Sequence, residues 1–395
     1  MKQRLYKIFI ILASIVLGLI VCEAGLRLLG IGYPDFYDYD PFLGSKLRPG
    51  IRGYFLKEGG GYVSINSDGL RDREHSLAHP LNTLRIAVLG DSFAEAMQVN
   101  QDEAFWAVMG KDLQHCPNLD GRRVEVINFG QAGFSTAQEL LALRHRAWKY
   151  APDVTLLALF TDDIRRNLPE FMQYDFNPYF SLEDGRLVLH DRLTRERWEA
   201  EQQKKSWGGE LKRWRQDHFR IFQVWRQFQT VFRAWWANPR RTGEAAAANA
   251  QVGSEAGLSD NIYREPESKV WQEAWKVNEA LLVQMRDEIA ARGARFYVVV
   301  LTNGTQVHPD PANRAVFAKS LGVPDLFYAD RRLETFCQKE GIPILLLAPA
   351  FQEYATVHQV YLHGFKGNLG GGHWNQQGHR LAGDMIARWL CNQVP

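Results

Sequence analysis

Five short apolar runs, separated by segments with helical spacing, constrain the fold of this 395-residue chain more than any other feature. The runs cover residues 84–89, 124–128, 154–160, 296–301 and 344–348. Between most of them lie helical patterns at 103–113, 136–150, 270–291 and 326–340. Uninterrupted apolar runs are typical of strands that are buried on both faces of a parallel sheet. The alternation therefore predicts an α/β three-layer sandwich with a five-stranded parallel sheet.

The alternation divides the chain into regions. Residues 81–167 and 266–395 are predicted to form one domain, and the 46% hydrophobic content of the chain is enough for a substantial core. Residues 168–265 lack a convincing core strand and are predicted to be a helical insertion. Residues 31–80 are rich in Gly, Pro, Asp and Tyr. They are predicted to be an irregular lead-in to the domain.

The centre of the insertion, residues 207–240, has an aromatic and basic helical pattern. The large apolar side chains recur at helical spacing: Trp214, Ile221, Trp225, Phe228, Phe232 and Trp235. Basic residues lie among them: Lys212, Arg213, Arg220, Arg226 and Arg233. This pattern predicts one amphipathic helix that either packs on the domain or lies on an anionic membrane surface. Residues 242–261 are small and polar, which predicts a flexible loop.

The N-terminus has the pattern of a membrane-directing segment. Lys2, Arg4 and Lys7 precede an apolar run at 8–22, and the hydrophobic character resumes after Glu23. About 20 apolar residues can cross a bilayer, so residues 1–30 are predicted to be an uncleaved signal anchor, with a cleaved signal peptide as the alternative. The run ends without the small residues that a cleavage site needs. The basic residues before it predict a single-pass protein of the cytoplasmic (inner) membrane, with its main domain periplasmic or extracytoplasmic.

Charge and cysteine content limit the partners of the chain. The net charge of +2 provides no overall field to recruit nucleic acid. The three cysteines of the exported part are Cys116, Cys337 and Cys391, and the odd number leaves at least one unpaired or bonded elsewhere. A disulfide between Cys337 and Cys391 is one option. The spacing of Cys and His predicts neither a metal site nor a cofactor, and His308, His358 and His363 are predicted to be surface or loop residues.

Two segments carry residues with catalytic chemistry. The first apolar run leads directly into Gly90-Asp91-Ser92, at the strand end where α/β sheets bind ligands. A serine there can present its hydroxyl while the adjacent backbone N–H faces developing negative charge, although Asp and Ser also suit a helix N-cap. His373 follows the last predicted strand and precedes a helical pattern at 380–389. It is placed either to act as a base for Ser92 or to cap that helix.

Together, four segments resemble the ordered sequence blocks of the SGNH/GDSL hydrolases. They are Gly90-Asp91-Ser92, Asn128-Phe129-Gly130-Gln131-Ala132-Gly133, Thr161-Asp162-Asp163 and His373-Trp374-Asn375. The resemblance covers about residues 84 to 392 and implies the flavodoxin-like fold of that family. It further implies Ser92 as nucleophile, His373 as base, and an oxyanion hole built from Ser92, Gly133 and residue 162. Asp91, Asn375 and His379 are expected to be structural residues near the site.

The chain departs from the family pattern at two points. Asp162 stands where the family has a neutral asparagine, and an ionised carboxylate cannot donate a hydrogen bond to an oxyanion. The family's acid lies two or three residues before the histidine, but those positions are Gly371 and Gly370. Either a backbone carbonyl orients His373 in a Ser-His dyad, which is the favoured interpretation, or a distant carboxylate such as Glu353 does so.

The resulting functional prediction is a serine esterase that hydrolyses an O-acyl ester through an acyl-serine intermediate. The expected substrate is an acylated sugar or a lipid. Two alternatives remain open: an O-acyltransferase that acts on an exported polysaccharide, and a catalytically impaired binding or assembly protein that retains the fold. The first shares the acyl-enzyme and differs in the acceptor. The second is suggested by Asp162 and by the missing acid.

Overall fold

A computed structural model describes residues 2–172, 174–203, 206–237 and 258–394 of the chain. The strands in chain order are β1 (Tyr37–Asp40), β2 (Gly44–Leu47), β3 (Arg52–Tyr54), β4 (Tyr62–Ser64), β5 (Thr83–Gly90), β6 (Arg123–Asn128), β7 (Val154–Leu159), β8 (Tyr179–Glu183), β9 (Arg186–His190), β10 (Arg295–Val300) and β11 (Ile344–Leu346). The helices are α1 (Lys2–Leu28), α2 (Ser92–Glu95), α3 (Phe105–Leu113), α4 (Thr136–His145), α5 (Asp163–Arg166), α6 (Arg192–Gln203), α7 (Trp207–His218), α8 (Arg220–Ala237), α9 (Lys269–Ala290), α10 (Pro311–Leu321), α11 (Tyr328–Lys339), α12 (Ala348–His358) and α13 (Gln376–Gln393).

The core of the domain is a five-stranded sheet in the order β11-β10-β7-β5-β6, with every neighbouring pair parallel. Every residue of β5 is buried, because the strand lies between β6 and β7 and is covered by side chains on both faces. One face packs against α4, α9 and α11, and the other against α3, α12 and α13. The predicted three-layer α/β sandwich is confirmed, and the predicted strands agree with the observed ones to within two residues at each end.

The helices agree with the pattern in the sequence less completely. The four predicted helical segments are present as α3, α4, α9 and α11, with α4 followed by a 3-10 turn at Ala147–Tyr150. The sequence pattern did not indicate α10 or α12. Because α12 begins at Ala348, directly after β11, the end of the fifth apolar run belongs to this helix. That strand is therefore shorter than predicted.

The lead-in is more ordered than expected, since it contains the antiparallel hairpins β1–β2 and β3–β4. A small hydrophobic core packs these hairpins against Met97, which follows α2. Its buried members are Phe36, Leu47, Val63, Ile65 and Met97. The carboxylate of Asp72 also accepts a hydrogen bond of 2.8 Å from the backbone N–H of Asn128 at the end of β6. The lead-in is thus packed against the carboxyl edge of the sheet.

The insertion contains the hairpin β8–β9 and the helices α6, α7 and α8. The prediction of one continuous helix from residue 207 is wrong, because the backbone of Phe219 is extended (φ −117°, ψ 114°) and separates α7 from α8. The Glu23 carboxylate accepts from the N–H groups of Arg220 and Ile221 at 3.2 and 3.1 Å. It thereby caps a helix that starts afresh at this point. Residues 238–240 and most of the predicted loop at 242–261 lie outside the described residues.

Within the described residues, one helix is long and apolar enough to cross a membrane, and it is the N-terminal helix α1. Its 27 residues correspond to a length of roughly 40 Å, compared with about 30 Å for the hydrocarbon core of a bilayer. Its apolar side chains are exposed. Length and composition are therefore those of a membrane span.

A disulfide joins Cys116 to Cys391, with a Cα–Cα distance of 5.6 Å. The suggested pairing of Cys337 with Cys391 is wrong because Cys337 is buried in the core on α11. Cys391 instead lies on α13, which packs along α3 and so approaches the segment that follows α3. Disulfides persist in oxidising compartments and are rare in the cytosol.

We expect Cys391→Ser to lower the free energy of unfolding by about 2–5 kcal/mol, because the bridge closes a loop spanning 275 positions and restricts the unfolded chain. Urea unfolding of the full chain in detergent measures the change, with Cys22→Ser on the exposed cysteine of α1 as the control. An unchanged urea midpoint for Cys391→Ser would contradict the bridge. So would four reactive thiols per chain in non-reducing denaturant.

Candidate active site

The serine of the Gly-Asp-Ser turn stands at the carboxyl edge of the sheet. A Cβ atom on Gly90 would lie 2.8 Å from the Cβ of Ala94 and 3.0 Å from the carbonyl oxygen of Ala158, so only glycine lets β5 turn this tightly. Asp91 is the N-cap of α2, and its carboxylate accepts from the N–H of Phe93 at 2.9 Å. The hydroxyl of Ser92 lies 3.3 Å from the other oxygen of Asp91 and is half-buried. Asp91 therefore has the structural contacts that were expected.

The structure brings the predicted base to the predicted nucleophile. Nε2 of His373 lies 2.7 Å from Oγ of Ser92, a distance suited to proton transfer. Asn375, two residues later, is the N-cap of α13, and its side chain accepts from the N–H groups of Gln377 and Gly378. The capped helix holds His373 at the sheet edge, which explains why the block ends in asparagine.

A carboxylate completes the arrangement, and it comes from the lead-in. Oε2 of Glu58 lies 2.5 Å from Nδ1 of His373, and Oε1 accepts from the backbone N–H of the same histidine at 3.0 Å. The expected Ser-His dyad and the suggested acid Glu353 are both wrong. Glu353 is exposed on α12, whereas the loop between β3 and β4 carries Glu58 to the histidine.

Two glycine-rich loops meet where Glu58 reaches His373. Glu58 is followed by three glycines at 59–61, and three glycines at 370–372 precede His373. Gly372 has φ 74°, and a Cβ atom on it would lie 2.3 Å from Oε1 of Glu58. The glycines at the family's acid position thus make room for a carboxylate from elsewhere. The run Glu-Gly-Gly-Gly in the lead-in was the one sequence signal that could have identified Glu58.

The charge of Glu58 is stabilised in place. Partial burial raises its pKa, but the hydrogen bonds and charge of His373 outweigh burial and bring the pKa below its ordinary value of 4.5. Glu58 is therefore ionised at neutral and mildly acidic pH. An anion at Nδ1 fixes the tautomer of the imidazole and stabilises the imidazolium that forms when Nε2 takes a proton.

The third oxyanion residue does not serve as a donor. Asp162 is fully buried, and its carboxylate accepts from Arg165 at 2.6 and 3.0 Å and pairs with Arg166 at 2.8 Å. The assignment of its side chain to the oxyanion hole is therefore wrong, since this carboxylate is held as an acceptor. Gly133, in the turn after β6, has φ 78°, and Ser92 is the first residue of α2. Their backbone N–H groups are the remaining candidates for the hole.

Buried acids surround the turn that carries Ser92. Burial raises the pKa of Asp91, and burial together with neighbouring acids raises those of Glu139 and Asp163 well above the usual range for carboxyl groups. Arg166 contacts Asp162 at 2.8 Å and lies 3.7 Å from Asp163. Burial at this depth thus favours the neutral form of Glu139 and Asp163 over the charged form.

Two other histidines shape the site from the core. His379 is buried, its pKa is lowered well below the usual value by burial, and its Nδ1 accepts from the N–H of Phe105 at 3.3 Å. His363 was expected at the surface, but it is buried, which lowers its pKa to about 4. It bonds Thr302 at 2.7 Å and the carbonyl of Gly372 at 2.8 Å. His363 thus fixes the loop immediately before the base.

No protein-family model matches the chain, and no curated protein matches it. Among solved structures, it is similar to the acetyl xylan esterase AlAXEase, with 11% identity over 78% of this chain and 98% of that one and a TM-score of 0.37. It is also similar to a lipolytic protein ascribed to the G-D-S-L family from Desulfitobacterium hafniense, with 10% identity over 77% and 98% of the chains and a TM-score of 0.33. The chain resembles the SGNH/GDSL hydrolases. Likenesses this distant say nothing about its activity.

For an SGNH/GDSL-like site completed by Glu58, we expect Glu58→Gln to lower kcat by up to about 10⁴-fold, because the amide favours the wrong tautomer of His373. Loss of the anion also moves the acid limb of the kcat/KM profile to lower pH, because the imidazolium is no longer stabilised. Hydrolysis of a p-nitrophenyl ester between pH 4 and pH 9 measures both effects. Glu353→Gln is the matched control and should leave rate and profile unchanged. Equal effects of the two substitutions would rule out the assignment to Glu58.

We expect Asp162→Asn, which introduces the asparagine found in the resembling family, to reduce activity and stability. The amide loses the pairing with two arginines, and leaving buried charge unpaired costs about 3 kcal/mol. The urea midpoint and kcat of the variant measure the change. A variant of unchanged stability with raised kcat would show instead that residue 162 can donate to the oxyanion.

Proposed function

We propose that this protein is a serine esterase that cleaves an O-acyl ester through an acyl-serine intermediate. The observation that carries the proposal is the chain of contacts from Ser92 through His373 to Glu58, at 2.7 and 2.5 Å. A nucleophile, a base and an orienting anion in hydrogen-bond contact are the working parts of nucleophilic acyl transfer. The missing acid had been one reason to consider a non-catalytic protein, and Glu58 removes it.

Each group has a definite task in the first half of the reaction. Oγ of Ser92 attacks the ester carbonyl while Nε2 of His373 takes its proton, and the carbonyl oxygen becomes an oxyanion. As the tetrahedral intermediate collapses, the bond to the alcohol oxygen breaks, and the imidazolium gives its proton to that oxygen. Glu58 remains ionised and holds Nδ1–H throughout. The acyl group stays on Ser92.

Water completes the cycle. His373 takes a proton from a water molecule as its oxygen attacks the acyl-serine, and then returns that proton to Oγ of Ser92 as the acid leaves. The N–H groups of Ser92 and Gly133 are proposed to bind the oxyanion in both halves. Because Asp162 supplies no donor, the enzyme lacks stabilisation on the order of 2.7–4 kcal/mol that a third donor would provide. We therefore propose a slow esterase rather than an inactive protein.

The proposed location is the outer side of the cytoplasmic (inner) membrane, with α1 as an uncleaved single span. The basic residues before the apolar run and the Cys116–Cys391 disulfide both support an extracytoplasmic domain. The side chains of His373 and Glu58 are 25% and 22% exposed, so the triad can be approached from the surface. An acyl ester on an exported sugar polymer or a lipid is the substrate class that fits a site held beside the membrane.

A fluorophosphonate probe tests the chemistry without knowledge of the substrate. We expect one mole of probe per mole of folded protein on Ser92, with labelling abolished in Ser92→Ala and strongly slowed in His373→Ala because the hydroxyl loses its base. Ser320→Ala, on α10, is the control and should be labelled like the natural chain. Folded protein that remains unlabelled would favour a binding or assembly role instead.

The same acyl-serine can be discharged to a sugar hydroxyl, so the proposal of hydrolysis needs its own measurement. With an acetyl ester donor and an oligosaccharide present, hydrolysis gives one acetate for each alcohol released. A deficit of acetate that is recovered as acetylated oligosaccharide would replace the esterase by an acyltransferase with an unchanged Ser92.

A further inference from the structure

Helix α8 presents a continuous aromatic stripe to solvent. Trp225, Phe228, Phe232 and Trp236 are 57%, 55%, 47% and 73% exposed. Consecutive rings along the stripe are 5.7, 5.8 and 6.1 Å apart between centroids. Exposed apolar patches of this kind on a soluble domain usually mark an interaction surface.

The polar side of the same helix faces the protein. Gln223 is only 5% exposed, and its side chain accepts from the N–H of Tyr33 at 2.9 Å and donates to the carbonyl of Gln216 at 2.8 Å. A helix packed on a domain directs its apolar side inward, but α8 has the opposite orientation. Helix α8 therefore contacts the protein through its polar side and leaves its aromatic side exposed.

Helix α8 is attached at the point where the chain leaves α1. Arg220 donates to the carbonyls of Leu26 and Ile31 at 3.0 and 3.1 Å, and Arg226 donates to the carbonyl of Tyr33 at 2.9 Å. Arg27 of α1 donates in turn to the carbonyl of His218, the last residue of α7. If α1 spans a bilayer, these bonds place α8 at the level of the lipid headgroups.

The helix pair is also joined to the catalytic domain through the lead-in. Arg213 of α7 pairs with Asp38 at 2.8 Å, and Asp217 accepts from Arg48 at 3.0 Å. These residues lie on or beside β1 and β2, whose hairpin belongs to the same lead-in as Glu58. The position of α7 and α8 on a surface would thus set the position of the domain above it.

The charge of the pair suits anionic lipid. Residues 207–237 contain six basic residues and two acidic ones. One of the acids, Asp217, is already paired with Arg48. Lys212, Arg215 and Arg233 are exposed. Aromatic side chains beside basic ones are typical of helices that lie in the membrane interface.

We propose that α7 and α8 form a membrane-binding surface that lies on the anionic outer face of the bilayer crossed by α1, with the aromatic stripe immersed among the lipids. The inference requires α1 to span the membrane, but it is independent of the esterase chemistry. The surface gives the protein a second attachment beside its anchor and restricts the domain to one orientation.

Spin labels on the full chain test this arrangement. A cysteine replaces Phe232 on the stripe, or Thr230, which is exposed two residues and roughly 200° away around the helix. Cys22→Ser removes the exposed thiol, and Ile15→Cys reports on the span itself. The labelled proteins are reconstituted in vesicles of phosphatidylcholine with or without phosphatidylglycerol. Relaxation by oxygen and by a water-soluble nickel chelate then measures the immersion of each label.

We expect the labels at 15 and 232 to respond to oxygen and to be shielded from the chelate, while the label at 230 responds to the chelate. Shielding at 232 should increase with phosphatidylglycerol. The ratio of shielded to exposed label at 232 should fall by about fivefold for each basic side chain that is neutralised. The variants are Lys212→Gln, Arg215→Gln and Arg233→Gln. An unchanged urea midpoint confirms that these variants are folded.

Three results would overturn the proposal. The first is equal exposure of the labels at 232 and 230 to the chelate in both kinds of vesicle. The second is shielding at 232 that depends on protein concentration and is accompanied by spin–spin broadening, because a second copy of the chain would then cover the stripe. The third is exposure of the label at 15 to the chelate, which would show that α1 does not cross the bilayer. None of these results bears on labelling of Ser92 by a fluorophosphonate.

Discussion

The imidazole of His373 connects segments that are far apart in the sequence, and the proposed chemistry depends on its two hydrogen bonds. One ring nitrogen meets Ser92, 281 positions away, and the other meets Glu58, 315 positions away. The sheet accounts for the first bond, because β5 and the cap of α13 bring both residues to one edge. The second bond requires the lead-in to fold onto the same edge. The lead-in therefore supplies Glu58 to the candidate site and also connects the domain to α1.

Two positions of the site differ from the resembling family, and the residues around each of them accommodate the difference. Where the resembling family places an acid shortly before the histidine, this chain has glycines at 370–372, and the lack of side chains there admits Glu58. Asp162 is a second substitution at the site, and Arg165 and Arg166 neutralise it. Buried ion pairs contribute little net stability, but an unpaired carboxylate at this depth would be costly. The buried site can hold an acid at position 162 because the two arginines pair with it.

The parts of the structure that sequence could predict are those with a local signature. Strands buried on both faces leave uninterrupted apolar runs, so β5, β6, β7 and β10 were predicted almost to the residue. Ser92 and His373 follow from short motifs at strand and helix ends. Glu58 could not be identified in the same way, because its role arises from a contact made across most of the chain by a loop of three glycines.

Other differences have the same origin in long-range contacts. The division of one amphipathic pattern into α7 and α8 depends on Glu23, nearly two hundred residues earlier, which caps the second helix. The pairing of Cys116 with Cys391 depends on how α13 packs along α3. Periodicity reports which side of a helix is apolar, but it does not report whether that side faces protein or lipid. The inward orientation of Gln223 is visible only in three dimensions.

The order of the three residues along the chain has a consequence for biosynthesis. Translation produces the carboxylate and the serine hydroxyl early, and the imidazole only after every strand of the sheet and the whole insertion have been made. On the proposed mechanism, a nascent chain therefore carries the nucleophile before it carries the base that would activate it. On the same mechanism, the triad is complete only once the segment before α13 contacts the glycine loop of the lead-in.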